Sequence, residues 1–573
     1  MRAGAGFLKL CPPPNCLMEE KRLLLAVALS LLVLTAYQLL FAPPPKPRPS
    51  PMPAASVAPS LPAPSPSLVR GRRPGTASPG PARLAAQVAD DKERRVEVQT
   101  PDVSVAFSNR GARLLSWRLL HFADPRGRPE EMVQAVVGGP PPLDLETGDA
   151  AVDARLKDAL FKPSAESITL PGGPSELRFT YAAGDLEAEK TLHFEPQGYL
   201  VSVRAHARNA GRDLPVRVFW GPGIGNPTPA EMEVQGYHPP QAVYLGPGGV
   251  ERIPAPKVGP TQSVSPARWA GVEGTHFTAL WLPPPPGTAE LRGVALPPGE
   301  DGKPRMGVQV GVALGDDAPA MLYVGPKDYL MLSKLDHDLQ RVVPVGDWIG
   351  PIVVALMALL RWVHGHVGNY GWSIVLLTVL INLVMAPLRH YSIANGVKMA
   401  KLAPEMKVIQ DRYRKVPALD PRRQEMQKEV AALYGRHGMS MSTQMTVGCL
   451  PLLLTMPFLI AFYRVLSVSI ELRGAPFLWI TDLSQKDPYF VTPLLMGVSM
   501  FVMQRMTPTA MDPAQQRVMM IMPLMFVGMF LWAPAGLNLY WLASNVCSVM
   551  QQAVTLRILK SREEKARQEG RRK

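Results

Sequence analysis

The sequence predicts a multidomain membrane protein: six transmembrane helices, an N-terminal anchor plus a five-helix core, with a large all-β sandwich domain outside the membrane. Three observations predict it. Apolar runs near the ~20 residues a spanning helix needs occur near the start and through the last third of the chain. Between them lie many short alternating segments divided by Gly and Pro. Lys and Arg crowd the segments that join alternate runs. With 573 residues, a formal net charge of +14 and a mean hydropathy of +0.03, the chain is too long for one ordinary soluble domain and too polar to be membrane throughout.

In chain order, residues 1–21 read as a cytoplasmic N-terminus. Cys11 and Cys16 sit there in Cys-Pro-Pro-Pro-Asn-Cys, the wrong spacing for a CxxC redox or zinc site, so they read as inert thiols. Residues 22–41 form the transmembrane anchor, with Lys21 just before it and Arg22 at its start; no small-x-small cleavage site follows directly, which favours an uncleaved anchor over a signal peptide. Met18 is an alternative start, since Met-Glu-Glu-Lys-Arg leads straight into the span. Residues 42–87 are a Pro/Ala-rich linker with too little apolar bulk to fold.

Residues 88–345 make the outside (periplasmic) β-sandwich domain. Val96-Glu-Val-Gln-Thr and Val103-Ser-Val-Ala-Phe alternate as half-buried strands do, with Ser-Asn-Arg-Gly-Ala as the turn after them. The segments beginning at Leu177, Lys190, Tyr199, Val216, Phe277 and Gly307 continue the pattern. Leu332 to Val342 is expected to be one short helix. No cysteine falls between 42 and 448, so this fold does not depend on disulfides.

Residues 346–370 read as an interfacial amphipathic helix, apolar but broken by Gly350-Pro351 and carrying Arg361 and Trp362. The span 371–388 follows. Thr378 and Asn382 lie four residues apart in it, on one helix face, and an amide in hydrocarbon needs something wet or polar to meet it. Residues 389–437 are a cytoplasmic helical hairpin: Leu402, Met406, Ile409 and Tyr413 keep a helical rhythm, and Met426, Val430 and Leu433 repeat it after Asp420-Pro421. Further spans cover 447–468 and 489–506. The apolar stretch 517–556 is too long for one helix and breaks at Ala533-Pro-Ala-Gly536, giving spans 517–533 and 535–556. A basic cytoplasmic tail, 557–573, ends the chain.

The hairpin holds eleven Lys/Arg (389, 398, 401, 407, 412, 414, 415, 422, 423, 428, 436) and the tail eight (557, 560, 562, 565, 567, 571, 572, 573), whereas the 469–488 loop has only Arg473 and Lys486. Positive charge stays inside. Both termini, the hairpin and the 507–516 loop are therefore cytoplasmic, and the β-domain is outside.

Little in the sequence is catalytic. There is no GxxxxGK[ST], HExxH, GxSxG or strand-linked GxGxxG, and no cofactor is read from it. His364-Gly-His366 supplies two metal ligands, which do not make a site. The hairpin's bases are interspersed with Glu405, Asp411, Glu425 and Glu429, so a solvated face and contact with anionic lipids both fit. A basic tail beside a membrane also suits ribosomal RNA. Polar residues inside the spans carry more information: Thr378, Asn382, Thr455, Asn538, Tyr540, Ser544 and Asn545. None is a carboxylate, which weakens an ion-coupled transporter. Hydrogen bonding between helices is their plainer role.

Several of these residues sit in longer motifs. Val367-Gly-Asn-Tyr-Gly-Trp-Ser-Ile, Cys449-Leu-Pro-Leu-Leu-Leu-Thr-Met-Pro, Glu471-Leu-Arg-Gly-Ala-Pro-Phe, Asp482-Leu-Ser-Gln-Lys-Asp-Pro-Tyr and Gly536-Leu-Asn-Leu-Tyr-Trp-Leu-Ala-Ser-Asn-Val resemble the YidC/Oxa/Alb membrane protein insertases, in order and spacing, over about 345–560. The anchor, the β-domain and Gly325-Pro-Lys resemble the Gram-negative YidC form more loosely. The resemblance implies a bacterial inner-membrane protein with five core helices around a hydrophilic groove, open to the cytoplasm and lipid and sealed outside. Its substrates would be nascent membrane proteins, taken alone or with the Sec translocon. Thr378, Thr455 and Tyr540 match the family's groove positions; Asn382, Asn538 and Ser544 join them on residue type and spacing.

One position departs from the family, whose groove carries an Arg where this chain has Asn382. Either the groove works by hydration and reduced membrane thickness, or Arg464 or Arg389 supplies a displaced cation. Arg464, one turn from the outer end of its span, also fits a side chain that snorkels to the headgroups. Two rival functions remain at this stage, a solute transporter or channel and a membrane-anchored assembly factor acting through its outside β-domain. The first predicts hydropathy repeats and a midplane ionisable site, which the sequence lacks.

Overall fold

The computed structural model describes residues 86–136, 139–173, 175–298, 304–315, 319–346, 348–413, 416–417, 420–437, 456–507 and 513–572. The anchor at 22–41 and all but the end of the linker lie outside the described residues, as do Cys11, Cys16 and Cys449.

Residues 86–326 build three antiparallel-dominated sheets of eleven, four and five strands. The alternation read from sequence becomes burial. Leu186–Phe194 buries every second side chain, and Leu200–Asn209 pairs with it residue for residue from Val201↔Phe194 to Asn209↔Leu186. Inner faces from the sheets interlock around Trp117, Trp220, Trp269 and Trp281, all fully buried; Trp117 and Trp220 meet edge to face with centroids 6.1 Å apart. Strands Gln241–Gly246, Gly249–Pro254, Trp269–Glu273 and Ala289–Leu296 complete the sheets without having been expected, and a helix, Ala150–Asp158, is capped by Asp149. The single helix expected from Leu332 to Val342 is two short turns, Tyr329–Leu332 and Leu339–Val342. His337 and Asp338 between them take φ of 72° and 59°, which no continuous helix allows.

Seven helices follow among the described residues: α1 (Gly350–Val367), α2 (Tyr370–Arg412), α3 (Arg422–Arg436), α4 (Met456–Val468), α5 (Val491–Met506), α6 (Pro513–Phe530) and α7 (Ala535–Arg572). Among the described residues, only α1 and α2 are long and apolar enough to cross a membrane alone; Met456–Val468 and Met519–Phe530 are shorter apolar helices. Gly350-Pro351, read from sequence as a break, instead opens α1, where a proline's missing N–H costs nothing. The apolar stretch after Asn369 does not stop at residue 388. It runs on as one helix through Pro387 and Pro404 to Arg412, so the first arm of the hairpin continues the span.

The β-domain stands directly on the 469–488 loop and the helix ends beside it. Arg473 from the 469–488 loop, its side chain only 7% exposed, reaches Glu130 at 2.9 Å and Glu231 at 2.8 Å. Burial works against the Arg473 charge, but the two carboxylates outweigh it and raise its pKa; burial pushes the Glu130 carboxyl up. Lys486 pairs with Glu233, Arg361 of α1 pairs with Asp328 at 2.6 Å and with Glu471, and the Gln235 amide donates to the Trp532 carbonyl at 2.9 Å. A cavity of about 80 Å³ lies beside this joint.

Candidate functional site

α2 begins where Asn369 accepts from the Trp372 amide at 3.1 Å and donates to the Pro476 carbonyl at 3.0 Å. From that start Thr378, Asn382 and Arg389 fall on one side of the helix. Their environments differ. Thr378 is fully buried and its hydroxyl donates to the Ile374 carbonyl at 2.6 Å, a bond inside its own helix that uses its one donor hydrogen. Asn382 donates from Nδ2 to the Thr378 carbonyl at 2.7 Å and accepts at Oδ1 from Arg389 Nη1 at 2.6 Å. The same Nη1 donates to Ser548 Oγ on α7 at 2.6 Å, and Ser548 donates to the Ser544 carbonyl at 2.7 Å.

A cavity of about 380 Å³ opens beside this network, between α2, α4, α5 and α7. Asn382, Arg389, Tyr540, Ser544, Ser548 and Gln551 give its polar lining; Met385, Phe458 and Met503 form apolar wall. Tyr540 is held flat against Phe462 of α4, ring centroids 4.2 Å apart and planes 11° apart. Further down, Gln551 Nε2 donates to the Ala386 carbonyl at 2.6 Å and His390 meets the Thr555 hydroxyl at 3.1 Å. Across the cavity Asn545 donates to Ser499 Oγ at 3.0 Å.

Among the described residues the end nearest the β-domain is closely packed. Leu472, Phe477, Ile480 and Leu483 of the 469–488 loop are buried, and the α6–α7 turn is sewn to that loop by Ala535 N to Gln485 O at 2.7 Å and Gly536 N to Leu483 O at 2.8 Å. Phe477 lies so close to Gly371 that a Cβ there would meet its ring at 2.1 Å.

Of the residues singled out in the sequence, the structure brings Asn382, Arg389, Tyr540 and Ser544 together at the cavity. Thr378 is buried and does not line it. Asn538 is buried elsewhere, donating to the Phe530 carbonyl at 3.2 Å and so pinning the α6–α7 turn. Arg464 is exposed on α4 and does not line the cavity. Thr455 lies outside the described residues. Ser548, Gln551 and Gln552 line the cavity and were missed. Their signal was present: Ser544, Ser548, Gln551, Gln552 and Thr555 recur at helical spacing on one face of a run that reads as apolar on average. Of the two histidines weighed as metal ligands, His364 stacks on Tyr370 at 3.7 Å and His366 contacts the Trp362 carbonyl at 2.8 Å. Among the described residues no three His, Cys, Asp or Glu side chains gather as metal ligands.

The chain matches the family model described as the 60Kd inner membrane protein over residues 362–563 and the model of the YidC periplasmic domain over 95–359. The membrane protein insertase YidC of Geobacter metallireducens is 31% identical, covering 93% of this chain and 98% of that one. The corresponding protein of Geobacter sulfurreducens is 33% identical over 95% of this chain and 100% of that one. A solved structure described as an active YidC insertase with the first transmembrane domain resolved is 18% identical, covers 83% of this chain and 95% of that one, and superposes with a TM-score of 0.33.

Proposed function

Because the chain belongs to the YidC family of membrane protein insertases, we propose that the cavity between α2, α4, α5 and α7 is the groove through which polar flanks of nascent membrane proteins pass while their apolar segments slide into lipid. The protein is a membrane protein insertase of the inner membrane with a periplasmic β-sandwich domain, and it is not an enzyme. One observation carries the groove reading. Amides, hydroxyls and a guanidinium line a cavity of about 380 Å³ inside helices whose outward faces expose Leu383, Val384, Leu494, Val498 and Met525.

The physical logic is short. A charge on a substrate flank costs ~2.5–3.5 kcal/mol near the bilayer centre even on insertion scales. A wet half-channel open to the cytoplasm shortens the apolar distance that charge must cross. Burial of the apolar segment in lipid, at ~25 cal/mol per Å², then supplies the drive without a nucleotide. Asn382, Tyr540 and Ser544 keep the groove wet, and Arg389 is its displaced cation, in place of a groove that works by hydration alone. Thr378 and Asn538 hold the helices that form it, and Thr455 remains a groove position by family likeness.

The membrane arrangement in this reading has six spans including 22–41, with both termini, the 389–437 hairpin and the 557–573 tail in the cytoplasm. The basic loops support it, as does a belt of exposed Trp362, Trp372, Trp479, Tyr489 and Trp532 at the opposite ends of the helices, where indole and phenol rings favour the interface. The hairpin then faces anionic headgroups and the tail a ribosome, with the Sec translocon as an optional partner.

The test is an insertion assay with the full chain in liposomes and a small two-span substrate. With the native cysteines removed, a bulky maleimide attached to Ser544→Cys fills the groove and should stop insertion. Insertion at the unlabelled rate with the label in place would contradict the groove.

A further inference from the structure

A second cavity lies on the other side of α5 from the groove. At Gly497 α5 and α6 come so close that a Cβ would run into the Val527 side chain, with the Pro523 carbonyl 3.9 Å away. Further along, between Met500–Thr507 at the end of α5 and Met519–Pro523 of α6, the pair parts and leaves a wedge of about 450 Å³, larger than the groove. Met503 lines both spaces, and Gln552 of the groove donates to Thr507 Oγ of the wedge at 3.3 Å. A single wall of side chains divides them.

The lining of the wedge has two parts. Its walls are methionines, Met500, Met503, Met519, Met520 and Met522, unbranched side chains that adapt to an apolar guest. Its rim, at the end of α5, is polar: Gln504, Arg505 and Thr507. The Arg505 guanidinium lies over the Phe501 ring, 5.0 Å from its centroid, and makes no ion pair or hydrogen bond among the described residues. α5 is 16 residues long. At 1.5 Å per residue it spans ~24 Å, which sets its last turn near the inner edge of a ~30 Å hydrocarbon layer in the arrangement above. An apolar slot with an unpaired cation at its mouth, at that depth, matches a lipid with a negative headgroup. Size argues against a substrate helix. A spanning helix ~10 Å across and ~30 Å long fills ~2,400 Å³, several times the wedge. An acyl chain is a single file of methylenes and fits between the two helices.

We infer that the wedge between α5 and α6 is a binding site for an anionic phospholipid of the cytoplasmic leaflet, its phosphate against Arg505 and Gln504 and an acyl chain among the methionines. The leaflet rests on the membrane arrangement above; the ligand does not rest on the groove reading. A lipid seated there backs the groove wall at Met503.

The experiment uses the full chain in vesicles of phosphatidylethanolamine and phosphatidylglycerol, with a trace of phosphatidylglycerol carrying a photoreactive diazirine in its acyl chain. Adducts are mapped on peptides by mass spectrometry. They should gather on Met500–Thr507 and Met519–Pro523, about fivefold above those from a phosphatidylcholine probe with the same chain. Excess unlabelled phosphatidylglycerol should displace the probe, and inorganic phosphate should not. Arg505→Gln should lower the signal to the phosphatidylcholine level, Arg505→Lys should keep most of it, and Met519→Trp should fill the wedge and remove both signals. If Met519→Trp fails to fold, the two Arg505 variants decide alone. Equal labelling by the two probes, no effect of Arg505→Gln, or adducts spread evenly over the lipid-facing helices each overturns the site. Displacement by inorganic phosphate would make it a bare anion site. Displacement by a neutral apolar peptide but not by phosphatidylglycerol would make it a seat for a substrate segment; either result overturns the lipid. No substrate is inserted in these measurements, so their failure leaves the groove standing, and failure of the Ser544→Cys block leaves the lipid site standing.

Discussion

Arg473 at the outer joint and Arg389 in the groove are both drawn largely out of water, yet their partners differ in kind. Arg473 meets two carboxylates, Glu130 and Glu231, and lies over the Phe277 ring beside a cavity of only about 80 Å³. Arg389 meets an amide oxygen and a hydroxyl beside about 380 Å³ of open space. A buried charge with charged partners is a fixed part of the structure, and removing one partner strands the others. A charge held only by neutral dipoles is positioned but not neutralised, so a visiting carboxylate still gains by binding it. In the groove reading, the outer face is held together by paired charges and the inner face is left to exchange partners.

That contrast can be broken in several places. The largest effect should follow Arg473→Ala, which leaves a buried Glu130 and a half-buried Glu231 without a counter-charge. A loss of about 3–5 kcal/mol in the docking of the β-domain is expected, read as early thermal release or protease cleavage between domain and helices. Unchanged docking would mean the joint is not held by its charges.

Acid should loosen the same joint. Burial pushes His276, which lines the joint cavity, from an ordinary imidazole value down to about 3. The unfolded or undocked chain then takes up a proton that the docked chain refuses, so stability falls as pH drops from about 6.5 toward 3. Thermal unfolding followed across that range should show the slope, and His276→Phe should reduce it. An equal slope in the variant would remove His276 as the cause.

In the groove, Arg389→Gln should slow insertion of acid-flanked substrates about tenfold, equivalent to ~1.4 kcal/mol of transition-state stabilisation, while thermal stability shifts far less than in Arg473→Ala. A stability loss as large as that of Arg473→Ala would make Arg389 a structural residue like its outer counterpart. Asn538→Ala should cost about 1 kcal/mol by freeing the α6–α7 turn, and unchanged thermal stability would mean that other contacts hold that turn. Smallest of all, Lys486→Ala removes a pair whose Glu233 side is exposed, and about 0–1 kcal/mol of docking is expected.

Much of this was legible in the sequence where a pattern repeats. Period-two alternation in segments such as Lys190-Thr-Leu-His-Phe located strands because one face of each is buried, and helical spacing located the Thr378–Asn382 face. The strands Gln241–Gly246 and Gly249–Pro254 form a hairpin across Pro247-Gly248, and they were missed because neither alternates cleanly between buried and exposed side chains. The sequence does not show that the Thr378 hydroxyl donates back into its own helix, off the cavity lining. The polar face of α7 was hidden by averaging. No sequence pattern shows that a flexible side chain seven residues on folds back to meet Asn382; that contact, and the joint formed by Arg473 with residues hundreds of positions away, exist only once the helices and sheets are assembled.

The account turns on water reaching Asn382 from the cytoplasmic side while the outer end stays closed. Cysteines placed singly at 382 and 544 in a cysteine-free chain, challenged with a membrane-impermeant maleimide from one side at a time, test it directly. Rapid labelling at both positions from the cytoplasmic side and none from the outer side is the predicted result. Protection from both sides, or labelling from the outside, would contradict it.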